Sequence, residues 1–217
     1  MMSFQDELRR EMERFAAEVP AQAMEVLVGA IRHLVEGGAA DHARRSGDRA
    51  PDFTLPNLHG QPLRLGDRLR AGPVVLSFYR GGWCPFCNVE LVALQFALPE
   101  IRSLGAELIA VSPQLPDQSL THYEKQHLQL EVLSDRGNRV SDEYGLGYTM
   151  EPAAREVYER FGLALPEFNG DDSWRLPIPA TYVIDRDGTI VWHFVDPDYT
   201  KRGDPAEVVV ALRALRG

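Results

Sequence analysis

The chain of 217 residues has little of what several common classes of protein require. It holds two cysteines, too few for the disulfide scaffold of a small secreted protein. No apolar run approaches the roughly 20 residues that a membrane-spanning helix needs. The start, Met1 to Glu7, lacks the basic and apolar stretches of a secretory signal. We therefore expect a cytoplasmic protein with no membrane partner.

Basic residues are also in deficit, with 23 Lys and Arg against 32 Asp and Glu and a formal net charge of −9. A nucleic-acid binder needs a basic face for its phosphate contacts, so we expect no nucleic-acid partner. The hydrophobic content of 44% is ordinary for a globular protein. A chain of this length can form one substantial domain with an extension.

The two cysteines stand together in Trp83-Cys84-Pro85-Phe86-Cys87. A continuous apolar and β-branched run at 74–79 precedes them and predicts a buried strand. Apolar residues at helical spacing follow them and predict a helix. A Cys-x-x-Cys at such a turn places sulfur beside unpaired helix N-terminal amides, which favour the thiolate. This position predicts thiol redox chemistry by Cys84 and Cys87.

The neighbours of the cysteines suit such a site. Gly82 gives the turn backbone freedom and a bare amide. Pro85 fits the first helical turn, where its missing N–H costs nothing. Arg80 adds a fixed positive charge that stabilises a thiolate or polarises an oxygen leaving group. Because Cys87 continues the apolar stripe, we expect it to be buried and Cys84 to lie at the exposed rim.

Two other interpretations of the cysteine pair are weaker. Buried inert thiols do not explain the adjacent glycines and arginine. A zinc site needs four ligands, and the six histidines are dispersed without a second Cys-x-x-Cys. We therefore predict no metal and no cofactor. His122 and His127 do not share a helical face, so we assign them no role.

The order of predicted elements indicates an α/β protein with a thioredoxin-like fold. Strands at 74–79 and 106–111 alternate with helices at 85–98 and 119–127. Two later strands flank Asp187-Gly188, a strong hairpin signal. Such an order predicts a central mixed sheet with helices on both faces. The remaining predictions are an edge strand at 50–55, a short strand at 130–133, helices at 151–161 and 206–215, and a loop at 168–174.

We divide the chain into an N-terminal helical extension, residues 1–45, and a thioredoxin-like domain, residues 46–217. Ser3 and Asp6 are placed as an N-cap pair of a first helix. Pro20 opens a second helix that Gly37 ends. Apolar residues follow one face of each helix, namely Phe4, Leu8, Met12 and Phe15, then Met24, Leu27, Val28, Ile31 and Leu34. We expect this hairpin to pack on its own domain. The alternative is a homodimer that forms through these helices.

Pro179 stands directly before the predicted late strand. A trans proline is the ordinary occupant of such a position. The Cys-x-x-Cys upstream and the thioredoxin-like order favour a cis bond instead, which brings the backbone of Ile178 towards the sulfurs.

Two further segments carry weaker signals. The run Tyr199-Thr200-Lys201-Arg202 is either an anion-binding group near the site or a solvated charged turn, and we favour the turn. Trp174 is either a mobile lid over the cysteines or a packed residue, and we favour packing.

From about Gly47 onwards the sequence resembles the alkyl hydroperoxide reductase/thiol-specific antioxidant (AhpC/TSA) family, the peroxiredoxins and their relatives. The similar segments are Ala50 to Leu55, Gly72 to Arg80, Val111 to Pro113 and Tyr182 to Gly188. The resemblance implies a thioredoxin-type fold and a thiol-dependent peroxidase that thioredoxin or a similar dithiol reduces.

At the site the sequence departs from the family pattern. That pattern has proline, then Thr or Ser four positions on, then the peroxidatic cysteine three further. In register, Arg80, Cys84 and Cys87 occupy these positions, and the family's later arginine falls near Pro179. The departures resemble thioredoxin, whose first cysteine attacks and whose second resolves. Helix position thus favours Cys84 as the attacking residue, whereas the register favours Cys87.

The favoured function is reduction of hydrogen peroxide or an organic hydroperoxide. One thiolate attacks the O–O bond and becomes a sulfenic acid, and the other cysteine then forms a Cys84–Cys87 disulfide. Arg80 and the amides after Gly82 stabilise the leaving oxygen.

Two rival functions stay open. In a thioredoxin-like disulfide reductase, Trp83 would form an apolar docking lip with Ile178 and Pro179. In a non-enzymatic redox-sensing or assembly module, the N-terminal helices would bind a partner.

Overall fold

The computed structural model describes residues 3–119 and 127–216. The helices, in chain order, are α1 (Phe4–Glu18), α2 (Ala21–Glu36), α3 (Leu65–Ala71), α4 (Pro85–Ser103), α5 (Arg139–Glu143), α6 (Pro152–Arg160), α7 (Leu165–Asn169) and α8 (Pro205–Ala214). Most of the helix predicted at 119–127, with His122, lies outside the described residues, although residues 116–119 are helical. Within the described ranges, no helix combines the length and the apolar character needed to cross a membrane.

The strands are β1 (Thr54–Pro56), β2 (Pro62–Arg64), β3 (Val74–Phe78), β4 (Glu107–Ser112), β5 (Glu131–Ser134), β6 (Gly147–Thr149), β7 (Arg175–Pro177), β8 (Ala180–Ile184) and β9 (Ile190–Val195). Five of them form a mixed sheet in the order β5-β4-β3-β8-β9. Parallel pairs join β3 to β4 and β4 to β5, whereas β8 runs antiparallel to both β3 and β9. The predicted mixed sheet and the late hairpin are confirmed.

The sheet separates two apolar layers. Along β3 every residue is buried, as expected for a central strand covered on both faces. Because successive side chains of a strand point to opposite faces, Val75 joins one core cluster and Val74, Leu76 and Phe78 join the other. The cluster of Val75 also holds both cysteines and the buried face of α4. The functional site therefore begins in a packed core.

Several elements differ from the predictions. β1 pairs with β2 in a separate two-stranded sheet and is no edge strand of the main sheet. α4 continues through Pro99 to Ser103, beyond the predicted end at 98. A proline inside a helix removes one backbone hydrogen bond, and buried Leu98 and Ile101 hold the last turns in place. The pair β6–β7 was not predicted because strands of three residues carry almost no periodicity.

The N-terminal hairpin packs on the chain's own domain, as we predicted. The Ser3–Asp6 capping box is present, and α2 follows Pro20 and ends before Gly37. α1 contacts α4, and α2 contacts α6. Between α1 and α4 the rings of Phe15 and Phe86 pack edge to face, with their centroids 5.7 Å apart. The homodimer and the domain boundary after residue 45 stay predictions.

A matched pair of substitutions in α2 tests this placement. Leu27 is 4% exposed against α6, whereas the adjacent Val28 is 44% exposed. We expect Leu27→Ala to lower the free energy of unfolding by about 2–5 kcal/mol, because it leaves a cavity. Val28→Ala should change it by only about 0.5 kcal/mol or less, as is usual for surface sites. Urea unfolding followed by circular dichroism measures both, and equal losses would contradict the docking of α2.

Candidate active site

Both sulfurs lie where β3 leads into α4. Cys84 is the N-cap residue of α4, Pro85 occupies its first turn, and Cys87 follows on the buried face. Cys84 is only 1% exposed and Cys87 is fully buried. The predicted exposed rim position of Cys84 is therefore wrong. The reason is that the N-terminal hairpin and α6 cover the turn, leaving a narrow cleft at Cys84 that Phe15 and other residues line.

The surroundings of the two sulfurs favour a thiolate at Cys84. Burial by itself raises the pKa of Cys84, but the hydrogen bond from the Cys87 thiol and the charges of Arg80 and Arg202 lower it from 9.0 to about 5. The backbone amide of Cys87 adds to this effect. Burial raises the pKa of Cys87 well above its ordinary value, and the neighbouring Cys84 raises it further. Cys84 is therefore the stronger acid of the pair.

Arg80 is a buried cation held among aromatic rings. It is 2% exposed, and its guanidinium stacks 3.8 Å above the ring centroid of Tyr199. Arg80 Nη2 donates to Tyr158 Oη at 2.6 Å, and Nη1 lies 3.9 Å from Cys84 Sγ. Burial lowers the pKa of Arg80, but the tyrosines and Cys84 raise it more, so the side chain stays charged. This charge lies where a Cys84 thiolate needs a counter-ion.

Arg202 lies beside Cys87, as Arg80 lies beside Cys84. Its Nη2 donates to Cys87 Sγ at 3.1 Å, and its Nε lies 2.7 Å from Glu90 Oε2. Thr181 Oγ1 donates to Glu90 Oε1 at 2.7 Å. Burial raises the pKa of Glu90 to about 7, although the charge of Arg202 lowers it. Each cysteine thus has its own arginine, and Arg202 has a carboxylate partner.

Several residues of this site were not predicted from the sequence. Tyr199 and Arg202 are both buried, so the favoured solvated turn is wrong for them, while Lys201 is exposed as predicted. Glu90 follows Cys87 by three residues on one helical face, and this spacing was an available signal. Tyr158 reaches Arg80 from α6, a helix predicted without any link to the cysteines.

Hydrogen bonds fix the turn before α4. The N–H of Gly82 donates to Gln114 Oε1 at 2.6 Å, and the N–H of Cys84 donates to the Gly81 carbonyl at 3.0 Å. The Cys84 amide is therefore not free to bind a leaving oxygen, so the role expected for the amides after Gly82 does not apply to this one. Gly81 has φ +150°, and a Cβ there would lie 2.4 Å from Trp83 Nε1. Arg80, at the start of this turn, directs its Nη1 at Cys84 Sγ from 3.9 Å.

Ile178 and Pro179 do not have the role that the sequence predicted for them. No peptide bond between described residues is cis, so the predicted cis bond before Pro179 is wrong. Both residues are buried, and Ile178 belongs to the core cluster on the other sheet face from the sulfurs. Its N–H donates to the Leu146 carbonyl at 2.8 Å, which holds it beside the β6–β7 pair. Trp83 instead packs edge to face on Tyr158 at 5.5 Å, so the three residues form no exposed docking lip.

The other candidates lie outside this cluster. Trp174 is 8% exposed and packs beside Arg155, as the favoured packing interpretation predicted. Among residues 3–119 and 127–216, no group of three or more His, Cys, Asp or Glu side chains is arranged to hold a metal ion.

The chain is similar in sequence to several known proteins. The model of the AhpC/TSA family matches residues 46–193. The chain is 27% identical over 169 residues to the thiol-disulfide oxidoreductase ResA of Bacillus thuringiensis (strain Al Hakam), a match that covers 76% of this chain and 80% of that protein. It is 28% identical over 102 residues to peroxiredoxin Bcp of Escherichia coli (strain K12), covering 47% and 65% respectively. These relatives indicate an oxidoreductase, either a thiol peroxidase or a thiol-disulfide oxidoreductase.

Solved structures share the thioredoxin-like fold. Peroxidoxin BcpB from Mycobacterium tuberculosis superposes with a TM-score of 0.63 at 23% identity, covering 80% of this chain and 99% of that one. A peroxiredoxin-like protein from Aquifex aeolicus gives 0.63 at 20% identity, covering 80% and 88%.

Replacing Arg80 tests its effect on Cys84. In a Cys87→Ser background, Arg80→Gln should raise the pKa of Cys84 by about 1 to 3, because it removes the nearby positive charge. The pH midpoint of the reaction with methyl methanethiosulfonate then moves upward, and the reaction at pH 6 slows. Arg160→Gln, which removes an exposed arginine of α6, should leave the midpoint in place. A midpoint that Arg80→Gln does not move would contradict the pairing.

Proposed function

Because the chain belongs to the AhpC/TSA family, we propose that it is a thiol-dependent peroxidase in which Cys84 attacks the peroxide and Cys87 resolves the product. One observation carries the proposal. Cys84, the more acidic thiol, lies beside Arg80 at the end of a cleft too narrow for a protein segment. A small oxidant suits such a site better than a folded disulfide substrate does.

The first step is attack by the Cys84 thiolate on one peroxide oxygen. The S–O bond forms as the O–O bond breaks, and the second oxygen leaves as hydroxide or alkoxide, which takes up a proton from water. Arg80 stabilises the charge as it moves from sulfur to this oxygen, since its guanidinium is fixed and excluded from solvent. Cys84 is left as a sulfenic acid.

Cys87 then attacks the sulfur of the Cys84 sulfenic acid. The S–S bond forms, the S–O bond breaks, and the departing hydroxide combines with the Cys87 proton to give water. Arg202 favours this step because its Nη2 lies 3.1 Å from Cys87 Sγ and stabilises negative charge on that sulfur. Glu90 keeps Arg202 in position through the 2.7 Å ion pair.

A thioredoxin-like dithiol is the proposed reductant, and the cytoplasm is the proposed location. The reductant must break the Cys84–Cys87 disulfide by thiol–disulfide exchange and leave oxidised itself. Because both sulfurs are buried, the N-terminal hairpin has to move before a protein thiol can reach Cys84.

The second candidate is a thiol-disulfide reductase. The similarity to ResA supports it, as does the thioredoxin-like spacing of a low-pKa first cysteine and a high-pKa second one. A protein disulfide would have to displace the hairpin before the first step, whereas a peroxide can enter the existing cleft at Cys84, so we rank this candidate below the peroxidase.

Single-cysteine variants decide between the two attacking residues. Mixed with hydrogen peroxide in stopped flow, reduced Cys87→Ser should form a sulfenic acid at Cys84 that dimedone traps and mass spectrometry locates. Cys84→Ser should react no faster than a free thiol, because burial holds the pKa of Cys87 high.

Rapid sulfenic acid on Cys87 in the Cys84→Ser variant would instead support the family register. If neither variant nor the wild type reacts faster than a free thiol, the peroxidase proposal fails. Reduction of insulin disulfides, measured in parallel, then tests the second candidate.

A further inference from the structure

Arg80 and Arg202 differ in what balances their charge. Arg202 pairs with the Glu90 carboxylate, whereas the ion pairs within the described ranges include none that involves Arg80. In the same part of the chain, the buried Arg80 Nε–H has no hydrogen-bond partner. A buried charge without a counter-charge is strongly unfavourable. Arg80 therefore depends on an anion from its immediate surroundings.

In the reduced protein that anion is the Cys84 thiolate, with Sγ 3.9 Å from Arg80 Nη1. The surrounding tyrosines cannot replace it. Burial raises the pKa of Tyr148 and Tyr199 to about 12 and that of Tyr158 further, so their hydroxyls are neutral. Oxidation of Cys84 to a disulfide removes the thiolate charge and leaves the Arg80 guanidinium unbalanced.

We propose that the cleft at Cys84, which Arg80 also lines, binds a small monovalent oxyanion of the carboxylate class when Cys84 and Cys87 form a disulfide. The inference rests on the proposed disulfide and adds a ligand for the oxidised state. Arg80 lines this cleft, and its guanidinium, whose Nε–H has no partner, supplies a charged donor. Tyr158 and Tyr199 line the same cleft, and their hydroxyls are neutral donors because burial raises the pKa of each.

The space beside Arg80 limits the size of the ligand. The cleft between α2 and α6, lined by Leu27, Ala30 and Tyr148, has a cavity volume of about 20 Å³. The cleft at Cys84 offers about 50 Å³. One water needs roughly 10–15 Å³, so the cleft between α2 and α6 holds about one water, whereas the cleft at Cys84 admits a ligand of a few heavy atoms. Formate and bicarbonate have this size, and gluconate is too large.

Selective binding to the oxidised form links the redox equilibrium to the anion. With oxidised glutathione, the Cys84 thiolate and the Cys87 thiol give up two electrons and form one S–S bond. The glutathione disulfide breaks and leaves as one thiolate and one thiol, which carries the Cys87 proton. An anion that binds only the disulfide form shifts this equilibrium towards oxidation, by about tenfold at ten times its dissociation constant.

The experiment measures the oxidised fraction in glutathione buffers as sodium gluconate is exchanged for sodium formate at constant ionic strength. We expect formate to raise the oxidation constant of the wild type by about tenfold at ten times its dissociation constant. Formamide, which is neutral and of similar size, should have no effect. A separate titration with bicarbonate shows whether this second small oxyanion also binds. Arg80→Gln should lose the response, and Arg160→Gln should keep it.

An oxidation constant that formate leaves unchanged would overturn the inference, and so would an equal response in Arg80→Gln. Calorimetry on the wild type gives a readout that needs no variant. There the disulfide form should bind formate at least about tenfold more tightly than the reduced form, and equal affinities would overturn the inference. If mass spectrometry finds two free thiols after oxidation, the proposed disulfide fails and the inference fails with it.

Discussion

The interaction between the Arg80 guanidinium and the Cys84 sulfur is the constraint on which the site depends. Placing an arginine in a dry, aromatic environment costs several kcal/mol, on the order of the penalty for any buried ion, unless an anion is close by. The sulfur at 3.9 Å is that anion when it is ionised. The same contact therefore keeps Arg80 charged and lowers the pKa of Cys84. In the proposed cycle it also stabilises the reduced protein relative to the disulfide.

The N-terminal hairpin strengthens the interaction between Arg80 and Cys84, although the hairpin lies outside the segment that the family model matches. Its helices cover the turn between β3 and α4 and exclude water from the guanidinium. Electrostatic interactions are stronger in such a low-dielectric environment than at the surface. The hairpin also narrows the approach to Cys84, because Phe15 lines the cleft there.

Much of the fold was predictable because its signals are local. The buried run of β3, the first-turn Pro85 and the Asp187-Gly188 turn are each encoded within a few residues. The contacts of the site are different, since they join residues distant in sequence. Tyr158 and Tyr199 contact Arg80, and Arg202 contacts Cys87. A charged turn and a buried ion pair have the same signature in a sequence. Arg202 was therefore predicted to be exposed to solvent. The cis bond expected at Pro179 came from analogy with thioredoxin, and the actual position of Ile178 depends on its backbone bond to Leu146.

The most direct test of the central claim locates the thiolate itself. Thiolate absorbance at 240 nm, followed against pH in each single-cysteine variant, reports the ionisation of one sulfur at a time. The account predicts that Cys87→Ser retains its thiolate well below pH 8, because Arg80 lies beside Cys84. Cys84→Ser should ionise only above the ordinary range of a cysteine, in line with the raised pKa of Cys87. A thiolate that persists at neutral pH in Cys84→Ser and not in Cys87→Ser would contradict the account.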